Sequence, residues 1–529
     1  MGPKPPVGTS GTLGTLGTLG ALGALAACAR PAASPASAPA PAAAPRRSPA
    51  TPLEGGATAA DASHLLARLT FGARPGEART VAAAGLAGWL DRQLHPARIE
   101  DAAGVAALAP FAAALAGPEE LRAAEAEAMG GGDAGPKRAR KMARREGVLE
   151  AEMTAVARHV ASERQLLEVM VDFWTNHFSV SLQKGRVRYL AADFVERAVR
   201  PHALGRFGDL LEATARHPAM LLYLDNAQSV APRPGSRQAL RGRGLNENYA
   251  RELLELHTVG VAARYTQEDV IAVARILSGW SVAGDEFVFR WRMHDDGEKT
   301  AMGRVFPAGG GQGEGVALLA HLAAHPATID HVCRRLCGRL VADDPPAAVV
   351  AAAAAAWRAT GGEMAAVVRA IAGAPGFWDP AVRGAKLKSP LELVVSAVRA
   401  VGGEVDGIGL ARMLNRLGQP PLLAPAPTGY ADTRDAWLST AGALDRMDFA
   451  LALAAGRVPG VRVAIDRILG DPAAGVTALL DRLDAMVAGG LTPATREVIA
   501  RWLVRAPSRA QAGRLALALT IASPEFQHQ

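Results

Sequence analysis

The sequence predicts an all-α protein, a large globule of many helices in one or two lobes with at most one short β-hairpin. From about Asp61 to the end, apolar residues recur at the three- and four-residue spacing of a helix face. Short Gly and Pro connectors separate these runs, and alternating strand patterns are nearly absent. With 49% hydrophobic and 21% charged residues, the composition is that of a globular chain and not of a disordered one.

Eight segments carry the helical pattern most clearly. They are Ala59–Phe71, Arg79–Leu94, Val148–Val180, Asn246–Val259, Gln267–Ser281, Thr328–Val341, Leu391–Val401 and Arg446–Ala455. The exception is Glu286–Arg292, whose alternation suits a hairpin strand. A Gly-rich loop at 309–315 follows, and we take residues near 300–315 as the candidate seam between two lobes. The helical domain is therefore predicted over residues 59–529.

The first 27 residues resemble a lipoprotein-type signal peptide. Lys4 precedes a weakly apolar repeat, Gly11–Ala24, and then comes Leu25-Ala26-Ala27-Cys28. Leu, two small residues and Cys form the pattern that the lipoprotein pathway acylates and cleaves, which predicts Cys28 as the lipidated first mature residue. The apolar stretch is short and Gly-rich, which disfavours a membrane-spanning helix. The alternative is a low-complexity leader from a misassigned start codon.

Residues 28–58 are predicted to be an Ala/Pro-rich tether. The stretch Arg30–Pro52 is almost wholly Ala, Pro, Ser and Arg, and it lacks the apolar residues needed to bury a core. Such a segment after an acylated Cys28 would hold the folded body away from the bilayer. We therefore expect a cell-envelope location, lipid-anchored and facing the periplasm or the exterior, with the choice of membrane left open.

The net charge of +7 does not by itself indicate nucleic-acid binding, because basic residues are spread along the chain. The only dense basic run is Lys137–Arg145, after the flexible stretch Gly130–Pro136. It is interpreted as a solvated helix start, the alternative being a phosphate or anionic-lipid contact. No aromatic residue interleaves with it, so the stacking platform of single-strand binders is missing and no nucleic-acid partner is predicted.

Two cysteines, Cys333 and Cys337, lie four residues apart on a predicted helix. They share one helix face, where a disulfide would be strained. A zinc site would need two further ligands that no nearby pattern supplies. Two buried free thiols are therefore predicted.

Six segments carry a family resemblance that runs from about Ser63 to Phe526. They are His64–Gly72, Phe173–Phe178, His217–Asn226, Asn246–Thr258, His294–Lys299 and Lys386–Pro390. Together they are similar to a bacterial family catalogued as domain of unknown function 1800. The resemblance implies an exported bacterial protein, often encoded beside a second secreted family that resembles alkaline phosphatases and sulfatases. It implies no activity and no catalytic residue.

The segment from Asn246 is the densest in polar groups. On a helical wheel His257 and Asn246 fall on the apolar face of Tyr249 and Leu253. A charged stripe beside that face consists of Glu247, Arg251 and Glu255. The far side of the helix carries Glu252 and Asn248. The charges suit ion pairing along the helix. One interpretation is a site with Asn246, Asn248 and Arg251 as binding residues, and the other is a structural network that fixes helix packing.

A metal site is the candidate for catalysis. His177 lies among aromatic residues, and Glu252 or Glu255 together with His294 would complete a set typical of hydrolytic zinc or iron. The alternative for His177 is a core histidine. No His-Glu-x-x-His spacing supports the set. A divalent metal is therefore a hypothesis, with His177, Glu252, Glu255 and His294 as the catalytic candidates.

The loop His294–Lys299 is dense in ionisable groups and lies near the proposed seam, so Lys299 joins the binding candidates, although a solvated turn is equally compatible. Thr428–Tyr430 is a candidate lining of the same cleft. By contrast, His217-Pro218 and His325-Pro326 are interpreted as helix caps followed by a helix-starting Pro.

Two functional hypotheses from different classes follow. The first is a non-catalytic envelope lipoprotein that docks a secreted partner, for which the resemblance suggests the phosphatase-like family. The second is an envelope metal-dependent hydrolase or oxidoreductase. No Gly-x-Ser-x-Gly elbow, Walker loop or dinucleotide-binding Gly-x-Gly-x-x-Gly after a strand occurs. The sequence therefore indicates no substrate.

Overall fold

The computed structural model describes residues 51–128, 137–231, 244–471, 475–505 and 508–529. The all-α prediction is confirmed, since the protein is 63% helical and its described strands form only three short two-stranded antiparallel sheets. The predicted signal peptide, the lipidation residue Cys28 and the tether as far as residue 50 lie outside the described residues. So do residues 130–136 before the basic run.

The N-terminal half is a succession of helices joined by short turns. Helix α1 begins at Ala59 because Thr58 and Asp61 form a capping box, in which each side chain accepts a hydrogen bond from the other residue's backbone. The α-helices before the first strand are α1 Ala59–Leu69, α2 Glu77–Ala84, α3 Leu86–Leu94, α4 Ala102–Ala106, α5 Ala112–Leu115, α6 Pro118–Ala128, α7 Lys137–Ala161, α8 Gln165–His177, α9 Val187–Asp193, α10 Phe207–Arg216, α11 Pro218–Tyr223, α12 Asn248–Glu252 and α13 Gln267–Leu277. Two of these helices continue into π-helical turns, Phe194–Val199 after α9 and Leu253–His257 after α12.

The C-terminal half contains all the described strands and the remaining helices. In chain order these are β1 Trp280–Ala283, β2 Glu286–Phe289, β3 Lys299–Ala301, β4 Arg304–Phe306, α14 Gln312–Ala324, α15 Pro326–Leu340, α16 Ala347–Thr360, α17 Met364–Gly373, α18 Pro390–Ala400, β5 Glu404–Val405, α19 Gly409–Leu417, α20 Arg434–Trp437, α21 Thr440–Ala454, β6 Val461–Arg462, α22 Ile465–Leu469, α23 Gly475–Asp484, α24 Pro493–Arg505, α25 Arg509–Ala522 and α26 Pro524–Gln527. Each pair of strands joins antiparallel, β1 with β2, β3 with β4 and β5 with β6. The predicted strand at Glu286 is β2, and the two further pairs are only two or three residues long.

Two long predicted helices are each broken once. Arg79–Leu94 divides at Gly85, whose φ of 92° ends α2 and starts α3. Val148–Val180 divides after Ala161, where Asp101 accepts hydrogen bonds from the Ser162 hydroxyl and the Glu163 backbone, both at 2.8 Å. The apolar spacing continues across each break because both halves pack into one core.

Three smaller predictions are confirmed. His217 caps α11 and His325 caps α15, each ring nitrogen accepting from the backbone N–H two residues later, and a Pro follows each at the helix start. Cys333 and Cys337 are buried free thiols, and burial raises the pKa of both to about 12. Neither thiol is therefore a ready nucleophile.

The apolar helices of the described ranges are short. No single one is long and apolar enough to cross a bilayer. The pieces Ala102–Leu115 and Pro118–Glu127 meet that test only when they are taken together, across a 71° bend.

Gln529, the last residue of the sequence, packs against the start of α18. Gln529 and Lys386 exchange two backbone hydrogen bonds of 2.9 and 3.3 Å, and the Gln529 side chain donates to Glu392 at 2.8 Å. Ser389 starts α18 with a capping box to that same glutamate. The segment 386–389 is therefore held on both sides, and it separates the two cavities described below.

Candidate functional site

A cavity of about 430 Å³ lies between the end of α8, the face of α15, the start of α18 and the loop 419–433. Each of these elements contributes polar groups to it, and α7 contributes His159. The polar side chains that line it are His159, Asp172, Thr175, Asn176, Ser179, Arg334, Arg335, Arg339, Asp343, Ser389, Gln419, Thr428, Tyr430, Asp432 and Thr433. A volume of this size accommodates a small ligand or one side chain of a partner.

Asn176 fixes the loop that forms one wall. Its amide donates to the Tyr430 carbonyl at 2.9 Å and accepts from the Tyr430 backbone N–H at 2.7 Å. Gly429 between them has a φ of +71°, and a Cβ there would overlap the Asn176 carbonyl oxygen. Thr428–Tyr430 therefore lines a cleft as predicted, but the cleft belongs to α8 and α15 and His294 is not among its lining residues.

A network of paired charges extends from the cavity wall into the protein. Arg339 contacts Glu392 at 2.5 Å and approaches Asp172 at 3.7 Å. Burial by itself would raise the pKa of Glu392, but Arg339 and Lys386 outweigh it and lower the pKa to about 2. Burial dominates at Asp172, whose pKa is raised. The network thus supplies one firmly ionised carboxylate and one carboxyl that holds its proton more readily.

Lys386 joins the cavity wall to the same network. Its ammonium contacts Asp343 at 2.8 Å and Asp432 at 3.3 Å, and it also donates to the Asp432 carbonyl. Burial raises the pKa of Asp432 in spite of this cation. Asp343 and Asp432, the acidic side chains at this end of the cavity, are therefore already paired with Lys386.

Two other arginines on α15 differ from Arg339 in that they have no carboxylate partner within the described ranges. Arg334 is exposed and Arg335 is partly buried, and both line the cavity. Neither makes an ion pair or a side-chain hydrogen bond with any part of the chain that the structure describes. Burial lowers the pKa of Arg335, and the carboxylate that most opposes this, Asp432, already contacts Lys386. A guanidinium without a carboxylate thus faces the cavity.

Three histidines cluster beside Arg335. The His177 ring lies 6.2 Å from that of His257 and 6.4 Å from that of His331. His177 Nε2 donates to the His257 carbonyl at 3.1 Å, and among described atoms His177 Nδ1 and His257 Nε2 have no hydrogen-bond partner. Burial first, and then the charge of Arg335, lower the pKa of all three rings. The cluster is therefore neutral at physiological pH.

The predicted metal set does not come together. Among the described residues no three His, Cys, Asp or Glu side chains are close enough to hold a metal ion, so His177, Glu252 or Glu255, and His294 form no such site. Glu255 accepts a hydrogen bond from Tyr265, and Glu252 is partly buried with a raised pKa. We derive no metal chemistry from these residues.

His294 lies in a separate polar cluster near the predicted seam. Its Nδ1 donates to the Ser278 carbonyl at 2.8 Å, and its Nε2 is 3.6 Å from Glu314. Lys299, a predicted binding residue, is buried and contacts the same glutamate at 2.5 Å. This loop is therefore an internally paired structure, and the pocket at α8 does not include it.

The predicted binding residues Asn246, Asn248 and Arg251, in α12 or just before it, have polar atoms engaged in contacts within the chain. Arg251 lies 3.4 Å from Glu247 and 3.8 Å from Glu255, so the predicted ion-pair stripe is present. Asn246 donates to the Asp225 carbonyl at 3.2 Å and Asn248 to the Leu224 carbonyl at 3.3 Å. These contacts are those of the structural interpretation, and none of the three candidate side chains lines the cavity.

Sequence reasoning did not single out Arg335, Asp172 or Asn176. A usable signal was present in α15, where Arg335 and Arg339 lie four residues apart and share one face of the helix. That face continues into the apolar positions Leu336 and Leu340, which are buried. Arginines beside the buried face of a helix require a partner or a ligand.

The comparisons with known proteins agree with the sequence resemblance and add no activity. No curated protein matches the chain, and no solved structure matches it either. Residues 64–528, nearly the whole chain, match the family described as Protein of unknown function (DUF1800). The chain therefore belongs to that family.

Proposed function

We propose that this chain is an exported envelope lipoprotein, anchored through Cys28, whose helical body binds an anionic group of a secreted partner in the 430 Å³ cavity. The observation that carries the proposal is Arg335, a partly buried guanidinium that faces the cavity without a described carboxylate. The neighbouring cations Arg339 and Lys386 have carboxylate partners, whereas Arg335 and the exposed Arg334 have none among the described residues.

The chemistry of the cavity favours a carboxylate or a phosphate as the bound group. A guanidinium presents a planar fork of donors that matches either group with two parallel hydrogen bonds. Arg334 adds a second positive charge at the exposed side, where it would attract an approaching anion. The neutral histidines beside Arg335 do not compete for that anion.

Binding of an anion would also remove the cost of leaving Arg335 desolvated and unpaired. A ligand that binds only the folded state stabilises it, by about 3 kcal/mol when its concentration is a hundred times its dissociation constant. The body should therefore become more heat-stable when the correct anion is present.

The source of the anion follows from the expected location. An envelope lipoprotein meets secreted proteins, and the resemblance suggests a phosphatase- or sulfatase-like neighbour. An acidic side chain or a chain terminus of such a partner has the required charge and fits the cavity. The alternative of a metal-dependent hydrolase or oxidoreductase depended on a ligand set whose members lie apart in the described residues, so we favour binding.

The first experiment compares the wild-type body with Arg335→Gln and Arg335→Lys. We expect the secreted phosphatase-like protein to co-purify with the wild type, and the Gln variant to lose it while remaining folded. The Lys variant should retain weaker binding because it keeps the charge without the fork. Arg358→Gln, which removes an exposed arginine paired with Asp330, is the control and should bind normally.

A second arm distinguishes a partner from a small anion. Thermal unfolding is followed in the presence of phosphate, sulfate and acetate. Stabilisation by one of these that Arg335→Gln abolishes, without co-purification of the protein, would replace the partner by a free anion. If neither ligand depends on Arg335, the proposed site is wrong.

The anchor is tested separately in the full-length chain. Cys28→Ala is expected to leave the protein unlipidated and to release it from the membrane fraction, because a single acylated residue carries the anchor. Mass spectrometry of the native protein should find a lipid on Cys28. An intact, unmodified leader would contradict the envelope assignment while leaving the cavity argument in place.

A further inference from the structure

A second cavity, of about 320 Å³, lies on the other side of segment 386–389. It is formed by α1, the turn that leads into α2, the middle of α18 and the loop after α23. Most of its wall consists of small residues, among them Ala67, Ala73, Ala78, Ala400 and Gly72. A space with such a wall suits a small, mainly apolar ligand.

Lys388 brings an amine into this cavity. It is 7% exposed, and its ammonium nitrogen lies 4.1 Å from the centre of the Phe526 ring, which also lines the cavity. Its backbone is fixed, since its N–H donates to Gln527 at 2.9 Å and its carbonyl accepts from Arg446 at 2.8 Å. The backbone that carries the amine is therefore fixed, and the amine lies over the ring.

The other lysines whose side chains are described all have a carboxylate partner. Lys184 contacts Asp225 at 2.7 Å, Lys299 contacts Glu314 at 2.5 Å, and Lys386 contacts Asp343 at 2.8 Å. Lys388 alone of these four has neither an ion pair nor a side-chain hydrogen bond within the described chain. Lys386, two residues away and also buried, shows that the local backbone does not prevent pairing.

The surroundings favour the neutral amine. The pKa of Lys388 is lowered to about 7, chiefly by burial; Glu392 opposes this shift, and the charges of Arg446 and Arg68 add to it. A free lysine has a pKa of about 10.4, so at neutral pH its unprotonated fraction is smaller by a factor of roughly a thousand. The neutral nitrogen is a nucleophile, whereas the ammonium ion is not.

We propose that Lys388 is the nucleophile of a second site, which binds a small apolar aldehyde or ketone as an imine. The nitrogen lone pair attacks the carbonyl carbon, the C–O π electrons move to oxygen, and a proton passes from nitrogen to that oxygen. Loss of the oxygen as water forms the C=N bond, so that amine and carbonyl give imine and water without any oxidant or reductant. This site is independent of the anion-binding cavity, because the two share no lining residue: of the segment between them, Ser389 lines the first cavity and Lys388 the second.

The test uses the wild-type chain with butanal as the probe and cyanoborohydride to fix any imine, followed by peptide mass spectrometry. We expect butylation of Lys388 to be at least about tenfold faster than that of the ion-paired Lys184 at neutral pH, because of the larger neutral fraction. Labelling of Lys388 should saturate with butanal, as binding in a cavity requires. Every lysine is read in one sample, so the comparison needs no variant that could misfold.

A cavity variant provides the control. Ala78→Phe, on α2, replaces a methyl group of the cavity wall with a ring and keeps Lys388 itself, so it should slow labelling of Lys388 while leaving Lys184 unchanged. Labelling of Lys388 that is no faster than that of Lys184 would overturn the proposal. So would a rate that rises linearly with butanal or that ignores Ala78→Phe, since each indicates an amine without a binding site.

Discussion

Helix α8 carries Asp172 and Asn176 into the candidate site, and its position depends on a buried carboxylate one turn earlier. Glu168 is 1% exposed, receives two hydrogen bonds from Arg200 at 2.6 and 3.1 Å, and lies 3.1 Å from His159. Burial alone would raise its pKa, but Arg200 and His159 lower it from 4.5 to about 2. At about 1.4 kcal/mol per pKa unit, the carboxylate contributes about 3 kcal/mol to the free energy of unfolding.

Glu168→Gln should therefore destabilise the body by about 3 kcal/mol at neutral pH, because it also leaves the partly buried Arg200 with Glu196, at 3.3 Å, as its remaining carboxylate. The pKa is depressed in the folded state, so this contribution is present above pH 4.5 and is lost as the pH falls from 4.5 towards 2. The wild-type advantage, measured by urea unfolding, should shrink over that interval.

The matched control is Glu212→Gln, which removes a half-exposed pair with Arg216 on α10. Such a pair contributes less than about 1 kcal/mol, so this variant should differ little from the wild type. A loss in Glu168→Gln no larger than in this control would refute the reasoning. A loss that stays constant between pH 5 and pH 3 would refute the electrostatic part of it.

Three further outcomes are expected. Gly429→Ala should lower the free energy of unfolding by about 1–3 kcal/mol, because the new methyl group meets the Asn176 carbonyl at a positive φ. Gly384→Ala, also at positive φ but in open space, should cost less. Equal shifts of the two variants in thermal unfolding would contradict the packing argument. Burial raises the pKa of Glu152 to about 8, so the wild-type protein loses stability as the pH rises from 4.5 to 8. Glu152→Gln has no such charge and should therefore be more stable than the wild type near pH 7. The same dependence of urea unfolding on pH in both proteins would count against this. Arg251→Ala should change the free energy of unfolding by less than about 1 kcal/mol, because its ion pairs are partly exposed, and a larger loss would indicate a role beyond the helix stripe.

The helices could be predicted because their signals are local. Helix α13 begins at Gln267 as predicted, where Thr266 and Asp269 form a capping box that can be recognised in four consecutive residues. The broken helices show the limit of this reasoning. Gly85 is a local signal for a break, whereas the break after Ala161 depends on Asp101, which lies about 60 positions away in the chain.

The candidate site could not be predicted because it depends on which helices meet. The wheel places His257 correctly on a buried face, but it does not show that this face meets His177, 80 positions earlier. Grouping His177 with His294 joined two residues that are both buried and polar, although they lie in separate clusters. The spacing of apolar residues predicts which face of a helix is buried. It does not predict which other helix that face contacts, because this depends on tertiary packing.

The segment 386–389 explains how two cavities with different chemistry lie side by side. Leu387 pairs with His528 in an isolated antiparallel bridge, which fixes the backbone between the two lysines. Lys386 contacts Asp343 and Asp432, which line the first cavity, while Lys388 lines the second. Because one backbone segment fixes both lysines, a change that shifts its register should disturb both sites together, whereas a change to either side chain should disturb one. The two proposals can therefore be tested independently on the same protein.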